Sequence, residues 1–181
     1  MAREIKSEIG ISEGTTVQIE GHIVKVKGKA GETSKVLSNP NVKISNEDNK
    51  IIIKALKSTK REVKLVKTFT AHIKNMLKSA NEGSEYILKV CSGHFPMSLS
   101  VKGNELIIKN FFGEKIPRIL KIKEGANVKV EDTKITVQSA SKELSSQVAA
   151  DIEQLTKRTK YDSRIFQDGC YIVSKDGKEI K

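Results

Sequence analysis

Cys91-Ser92-Gly93-His94-Phe95-Pro96-Met97 leads through Lys102-Gly103-Asn104 and Leu106-Ile107-Ile108 to Asn110-Phe111-Phe112-Gly113-Glu114-Lys115, and closes on Pro117-Arg118. The polar Lys102-Gly103-Asn104 ahead of the apolar Leu106–Ile108 run predicts a strand, a tight turn and a second strand. Gly113-Glu114-Lys115 then predicts a glycine loop that presents cations. Lys115 and Arg118 sit beside a glycine with little apolar cover, so a backbone phosphate can approach them closely.

An altered copy of this layout lies upstream. Ile19-Glu20-Gly21 matches Val101-Lys102-Gly103, and Ala30-Gly31-Glu32 matches Phe112-Gly113-Glu114, with equal spacing between the paired glycines. Val42-Lys43-Ile44 matches Val128-Lys129-Val130, and Ile51-Ile52-Ile53 matches Ile135-Thr136-Val137. A helical stripe follows in each copy: Leu65, Phe69, Ile73 and Met76, then Leu144, Val148, Ile152 and Leu155. So many landmarks in the same order predict an internal duplication. The expected architecture is α+β: two tandem, similar domains, each a small, mainly antiparallel sheet packed with one helix. The first is residues 1–81 with a short N-terminal arm, and the second is residues 82–181 with a basic loop and tail.

Within the first copy, residues 1–14 read as an arm with at most a short helical turn. Thr16–Lys27 alternates as a hairpin turning at Glu20-Gly21-His22, and Gly28-Lys29-Ala30-Gly31 reads as a flexible cationic loop. Asn39-Pro40-Asn41 and Asn46-Glu47-Asp48-Asn49 are turn signals. Residues 59–79 carry the helical period, with Gly83 suited to a left-handed cap and His72 on the apolar stripe as a buried, hydrogen-bonded histidine. The second copy carries two additions, a leading strand at residues 86–91 and a tail at residues 157–173. In the tail, Asp168-Gly169 is expected to supply a positive-φ turn that reverses a strand.

The chain has 181 residues, of which 33 are Lys or Arg and 22 Asp or Glu, for a net charge of +11. That excess points to a polyanionic partner, with a lysine-rich solvated surface as the plainer reading. No apolar run approaches a membrane span and the start lacks a signal-peptide segment, so a cytoplasmic protein without a membrane role is expected. Cys91 and Cys170 read as reduced structural thiols. His22, His72 and His94 show no metal-ligand spacing, and Gly28-Lys29-Ala30-Gly31 is too short for a phosphate-cradling loop. No cofactor, metal, small-molecule substrate or catalytic residue is therefore assigned. A hydrolase working through His94 would require that histidine exposed in a cleft beside a carboxylate.

At His94-Phe95-Pro96, at Asn110-Phe111-Phe112-Gly113-Glu114-Lys115 with Arg118, and at Arg164-Ile165-Phe166-Gln167-Asp168-Gly169-Cys170-Tyr171, the chain resembles the ribosomal large-subunit protein six family, in its archaeal and eukaryotic branch. The resemblance spans essentially the whole chain. It implies a non-enzymatic component of the large subunit, bound to 23S rRNA near the sarcin–ricin loop and the factor-binding side, with neighbouring large-subunit proteins as partners. Two departures stand out. Cys170 replaces a usually aliphatic residue, and the loop 27–31 lacks the proline expected there.

Charge and resemblance point to different halves. Residues 1–81 hold 16 basic against 8 acidic side chains, and residues 82–181 hold 17 against 14. The resemblance nonetheless places the main rRNA contact on the second domain, where a local cluster can grip phosphates whatever the domain total. The candidate contacts are His94, Phe95, Lys115, Arg118, Lys157, Arg158, Lys160, Tyr161, Arg164, Gln167 and Gly169. Tyr161 is a candidate for stacking on a base, and backbone amides near Gly113 and Gly169 for close approach to the ribose-phosphate chain. A free-standing RNA-binding or chaperone-like module shares the charge and is the alternative.

Overall fold

The alternating Val17, Val24 and Val26 and the apolar run Ile51–Ile53 need partners on a buried face, and the chain supplies them twice. A computed structural model describes residues 5–12, 14–47, 49–56, 59–162 and 164–180. The arm residues 1–4, Asp48 of one expected turn and Ser163 of the tail lie outside the described residues. The chain divides into two units, one ending at Gly83 and the other beginning at Ser84.

In chain order, the first unit contains β1 (Ile5–Gly10), β2 (Thr16–Glu20), β3 (Ile23–Lys27), β4 (Glu32–Val36), β5 (Val42–Glu47), β6 (Lys50–Ala55) and α1 (Lys60–Glu82). They form two antiparallel sheets, ordered β1-β6-β5 and β2-β3-β4. Val24, Val26, Ile51, Ile53 and Ile73 are fully buried in a shared core, with Phe69 and Met76 of the helix against them. Ile52 is buried outside that cluster, as the two-residue period of a strand requires. α1 begins after Thr59, whose hydroxyl donates to the buried Glu62 carboxylate; Asn41 Nδ2 donates to the same group at 3.1 Å. It ends at Gly83, at φ +76°, whose amide donates to the Ser79 carbonyl at 2.9 Å.

The second unit contains β7 (Ser84–Cys91), β8 (Ser98–Lys102), β9 (Glu105–Lys109), a single 3-10 turn at Phe111–Gly113, β10 (Arg118–Lys121), β11 (Ala126–Glu131), β12 (Lys134–Ser139), α2 (Lys142–Leu155), β13 (Gly169–Lys175) and β14 (Lys178–Glu179). Its sheets run β10-β9-β8 and β11-β12-β7-β13-β14. Leu88, Ile135, Val137, Val148 and Ile152 build its core. The two-domain α+β reading thus holds, with β2-β3-β4 answering β8-β9-β10 and β5-β6 answering β11-β12.

Four expectations are corrected, the last of them at His72. Residues 5–10 of the N-terminal arm form a strand: β1 pairs with β6 along Ile5↔Ala55 to Gly10↔Lys50. β7 is therefore the counterpart of β1 and not an addition to the second copy. The alternation was masked because Ser7 sits between Ile5 and Ile9, half-buried, where its hydroxyl accepts from Thr70 at 3.0 Å. Second, Asp168-Gly169 is not the reversing turn. Gly169 opens β13 opposite Cys91, and the hairpin turn is Asp176-Gly177, at φ +46° and +76°. Third, the loop at Gly28–Gly31 is tied down. The Ala30 amide donates to the Ala80 carbonyl at 2.8 Å, and a Cβ on Gly28 would lie 2.4 Å from that same oxygen. His72 is only half-buried, with Lys35 Nζ 3.1 Å from its Nδ1.

Candidate nucleic-acid interface

After β9 the chain must leave the sheet and return as β10, and it does so through a tight turn in which three of four successive residues are left-handed. Asn110 has φ +58°, Phe112 +51° and Gly113 +72°. This turn buries Phe111, brings Phe112 to the surface and leaves Glu114 facing back toward the end of α2. The Phe95 ring packs against Gly113, 3.6 Å from where a Cβ would stand, and the Gly113 amide is spent on the Asn110 carbonyl at 3.4 Å.

Glu114 organises the cations. Arg118 donates to it from Nε at 2.8 Å and Nη2 at 2.7 Å, and Arg158 Nη2 donates to the same carboxylate. Arg118 also donates to the Leu155 carbonyl at the end of α2, and its guanidinium lies 4.3 Å over the Phe111 ring. Arg158 lies 5.2 Å over both Phe112 and Tyr161. The hydrogen bonds from Arg118 are the main reason the Glu114 carboxyl titrates below its ordinary range, with Arg158 adding to them against the opposing effect of burial. Arg118 and Arg158 are thus half-buried and paired with Glu114.

His94 is fastened in the same way. The buried Asp168 carboxylate accepts from the Gly93 amide, the His94 amide at 3.0 Å and the His94 ring, whose Nδ1 is 2.7 Å away. Burial alone would raise the Asp168 pKa; these hydrogen bonds outweigh it and hold the group below its ordinary value. The His94 ring stacks on Phe166 at 4.8 Å between centroids. Its side chain is 38% exposed beside a carboxylate that is 3% exposed, so the pair has the proximity a hydrolase would need. These contacts fasten Gly93 and His94 to the residue that precedes β13.

The remaining candidates separate by exposure. Lys115, Lys157 and Lys160 are exposed, with no ion-pair partner among the described residues. Arg164 is exposed but turned onto Asp162, with Nη2 2.9 Å from the carboxylate. Gln167 is exposed and donates to the Arg164 carbonyl at 3.3 Å. Phe95 and Tyr161 expose 46% and 48% of their surface, enough ring area for stacking. Gly169 is buried, and the Tyr171 ring lies 3.4 Å from the position of a Cβ, so the close backbone approach expected there does not fit. A cleft of about 340 Å³ lies beside this cluster, walled in part by Phe112, Lys157, Tyr161, Phe166 and Tyr171.

Sequence reasoning missed the organising roles of Glu114 and Asp168 and the aromatic cluster that joins Phe112, Tyr161 and Phe166. Only the four-residue spacing of Glu114 and Arg118 offered a signal. Both thiols are free; burial pushes that of Cys170 up to about 12.

Comparison with known proteins bears on the whole of this arrangement. The family model described as ribosomal protein L6 matches twice, at residues 11–83 and 95–169, once in each unit. The chain is 42% identical over 180 residues to large ribosomal subunit protein uL6 of Methanococcus vannielii, covering 99% of both chains. It is 40% identical over 175 residues to the uL6 protein of Methanothrix thermoacetophila, covering 97% of this chain and 99% of that one. With both halves matched and archaeal relatives aligned from end to end, the chain belongs to the ribosomal protein L6 family.

Proposed function

We propose that this chain is a structural constituent of the large ribosomal subunit that binds 23S rRNA mainly through residues 84–181, near the sarcin–ricin loop and the factor-binding region. Its place is in the cytoplasmic ribosome, beside other large-subunit proteins, and its work is architectural rather than catalytic. The observation that carries the reading is the surface around Glu114. Lys115, Lys157 and Lys160 stand exposed and unpaired among the described residues, beside the half-exposed rings of Phe95 and Tyr161.

The lysines neutralise phosphates and release counterions, and the rings offer stacking faces to unpaired bases. Arg118 and Arg158 act from behind. Held on Glu114, they fix the loop that carries Lys115 and the segment that carries Lys157 and Lys160. Arg164 joins the contact when a phosphate takes the place of Asp162. Recognition is then mainly of RNA shape, since these groups address the backbone.

The test is filter binding of a 23S rRNA transcript over a salt series. Combining Lys115→Gln, Lys157→Gln and Lys160→Gln is expected to reduce the slope of log affinity against log salt by about 2–3, at ~0.7–0.9 per phosphate contact. An unchanged slope rules these lysines out as the contact.

A further inference from the structure

The first unit contains a second charged surface that the second unit lacks. Along α1, Lys60, Lys64, Lys67, Lys74 and Lys78 follow one another at steps of three, four or seven residues. At about 100° per residue these positions fall within an arc of about 80°, and at ~1.5 Å per residue the row is about 27 Å long. All five lysines are exposed, and Arg61 flanks the row at its start. Ala71 stands in the middle, so the row is notched there and a partner can approach the helix axis.

Almost nothing on α1 neutralises this row. Its two acidic residues are Glu62, which is 4% exposed and engaged by Thr59 and Asn41, and Glu82, which lies 3.8 Å from Lys78 at the far end. Lys60, Arg61, Lys64, Lys67 and Lys74 have no ion-pair partner among the described residues. The duplication supplies an internal control. α2 occupies the same place in its unit, yet it carries one lysine, Lys142, against Glu143, Asp151 and Glu153. A lysine surface serving only solubility would have no reason to be confined to one copy of the helix.

We propose that the exposed face of α1 is a second nucleic-acid surface that tracks the phosphate backbone of an RNA duplex, independently of the residues around Glu114. A lone phosphate would call for converging donors, whereas a straight row of cations fits an extended polyanion. A membrane surface does not fit, because the apolar face of α1 is already spent on Val66, Phe69, Ile73 and Met76 in the core. An acidic protein fits less well, since the row offers no aromatic or large apolar anchor of the kind protein interfaces use, and cation-rich faces without anchors suit nucleic acid.

The full chain carrying Lys64→Gln, Lys67→Gln and Lys74→Gln tests this, because glutamine keeps helix propensity close to that of lysine. Circular dichroism checks the fold, and a generic RNA duplex long enough to cover the row is the probe. The expected result is a salt slope lower by about 2–3, both in the native background and in one already lacking Lys115, Lys157 and Lys160. An unchanged slope in both backgrounds overturns the proposal. So does tighter binding of poly-glutamate than of the duplex, which would assign the face to an acidic protein. If the α1 substitutions lower the slope while those around Glu114 leave it unchanged, this inference stands and the proposed rRNA surface of the second unit falls.

Discussion

Replacing Glu114 with Gln should unsettle the second unit more than its surface position suggests. The carboxylate accepts two hydrogen bonds from Arg118 and one from Arg158, and the two arginine side chains are 23% and 28% exposed. Hydrogen bonds to charged groups contribute ~1.5–3 kcal/mol net against ~0.5–1.5 for neutral ones, so neutralising the acceptor loses roughly 1 kcal/mol at each. Partial exposure reduces the total to about 2 kcal/mol. For a chain of this length that corresponds to a Tm about 4–8 °C lower in a calorimetric or circular-dichroism melt at pH 7. The dependence on pH is also fixed. The Glu114 pKa is depressed in the folded state, so its contribution is fully present above the unfolded value and is lost as pH falls through the folded one. The gap between native protein and variant should therefore narrow below about pH 4.3. A Tm shift under about 1 °C at pH 7, or a gap that widens on acidification, would refute the organising role given to Glu114.

Other perturbations bear on other parts of the account. Gly28→Ala places a Cβ 2.4 Å from the Ala80 carbonyl oxygen, and should lower the urea midpoint by an amount equivalent to about 1–3 kcal/mol, with an unchanged m-value. An unaltered midpoint would mean that the loop is not pinned to α1. Asp168→Asn weakens the clamp on Gly93 and His94, and hydrogen exchange at their two amides should quicken about tenfold. Because the Asp168 pKa is depressed on folding, that protection in the native protein should also fade as pH drops through its folded pKa. Protection that persists in the variant would show that the loop is held by other contacts.

Much of the fold could be read from the sequence because the duplication states it twice. The glycine pairs, the apolar triplet Ile51–Ile53 with its echo at Ile135–Val137, and the helical stripes fix the order of elements without any long-range contact being known. β1 escaped because Ser7 interrupts its apolar alternation, and the serine is tolerated there only because Thr70 of α1 meets it. The reversing turn was misplaced because Asp-Gly occurs twice after α2, at residues 168–169 and 176–177. At Asp168 the carboxylate is committed to amides across the unit, which leaves Asp176-Gly177 to make the turn.

The candidate site was legible as a set of residues but not as a division of labour. Arg118 and Arg158 look like Lys115 and Lys157 in a charge count. They differ because planar guanidiniums can share one carboxylate and lie over aromatic rings, and such pairings arise only when β10 and the end of α2 are brought together.

The most direct test of the central claim is sedimentation of the native protein from cell lysate through sucrose gradients at moderate and high salt. The account predicts that it travels with the large subunit and resists the high-salt wash, while the variant lacking Lys115, Lys157 and Lys160 is released. Native protein remaining at the top of the gradient at moderate salt would contradict it.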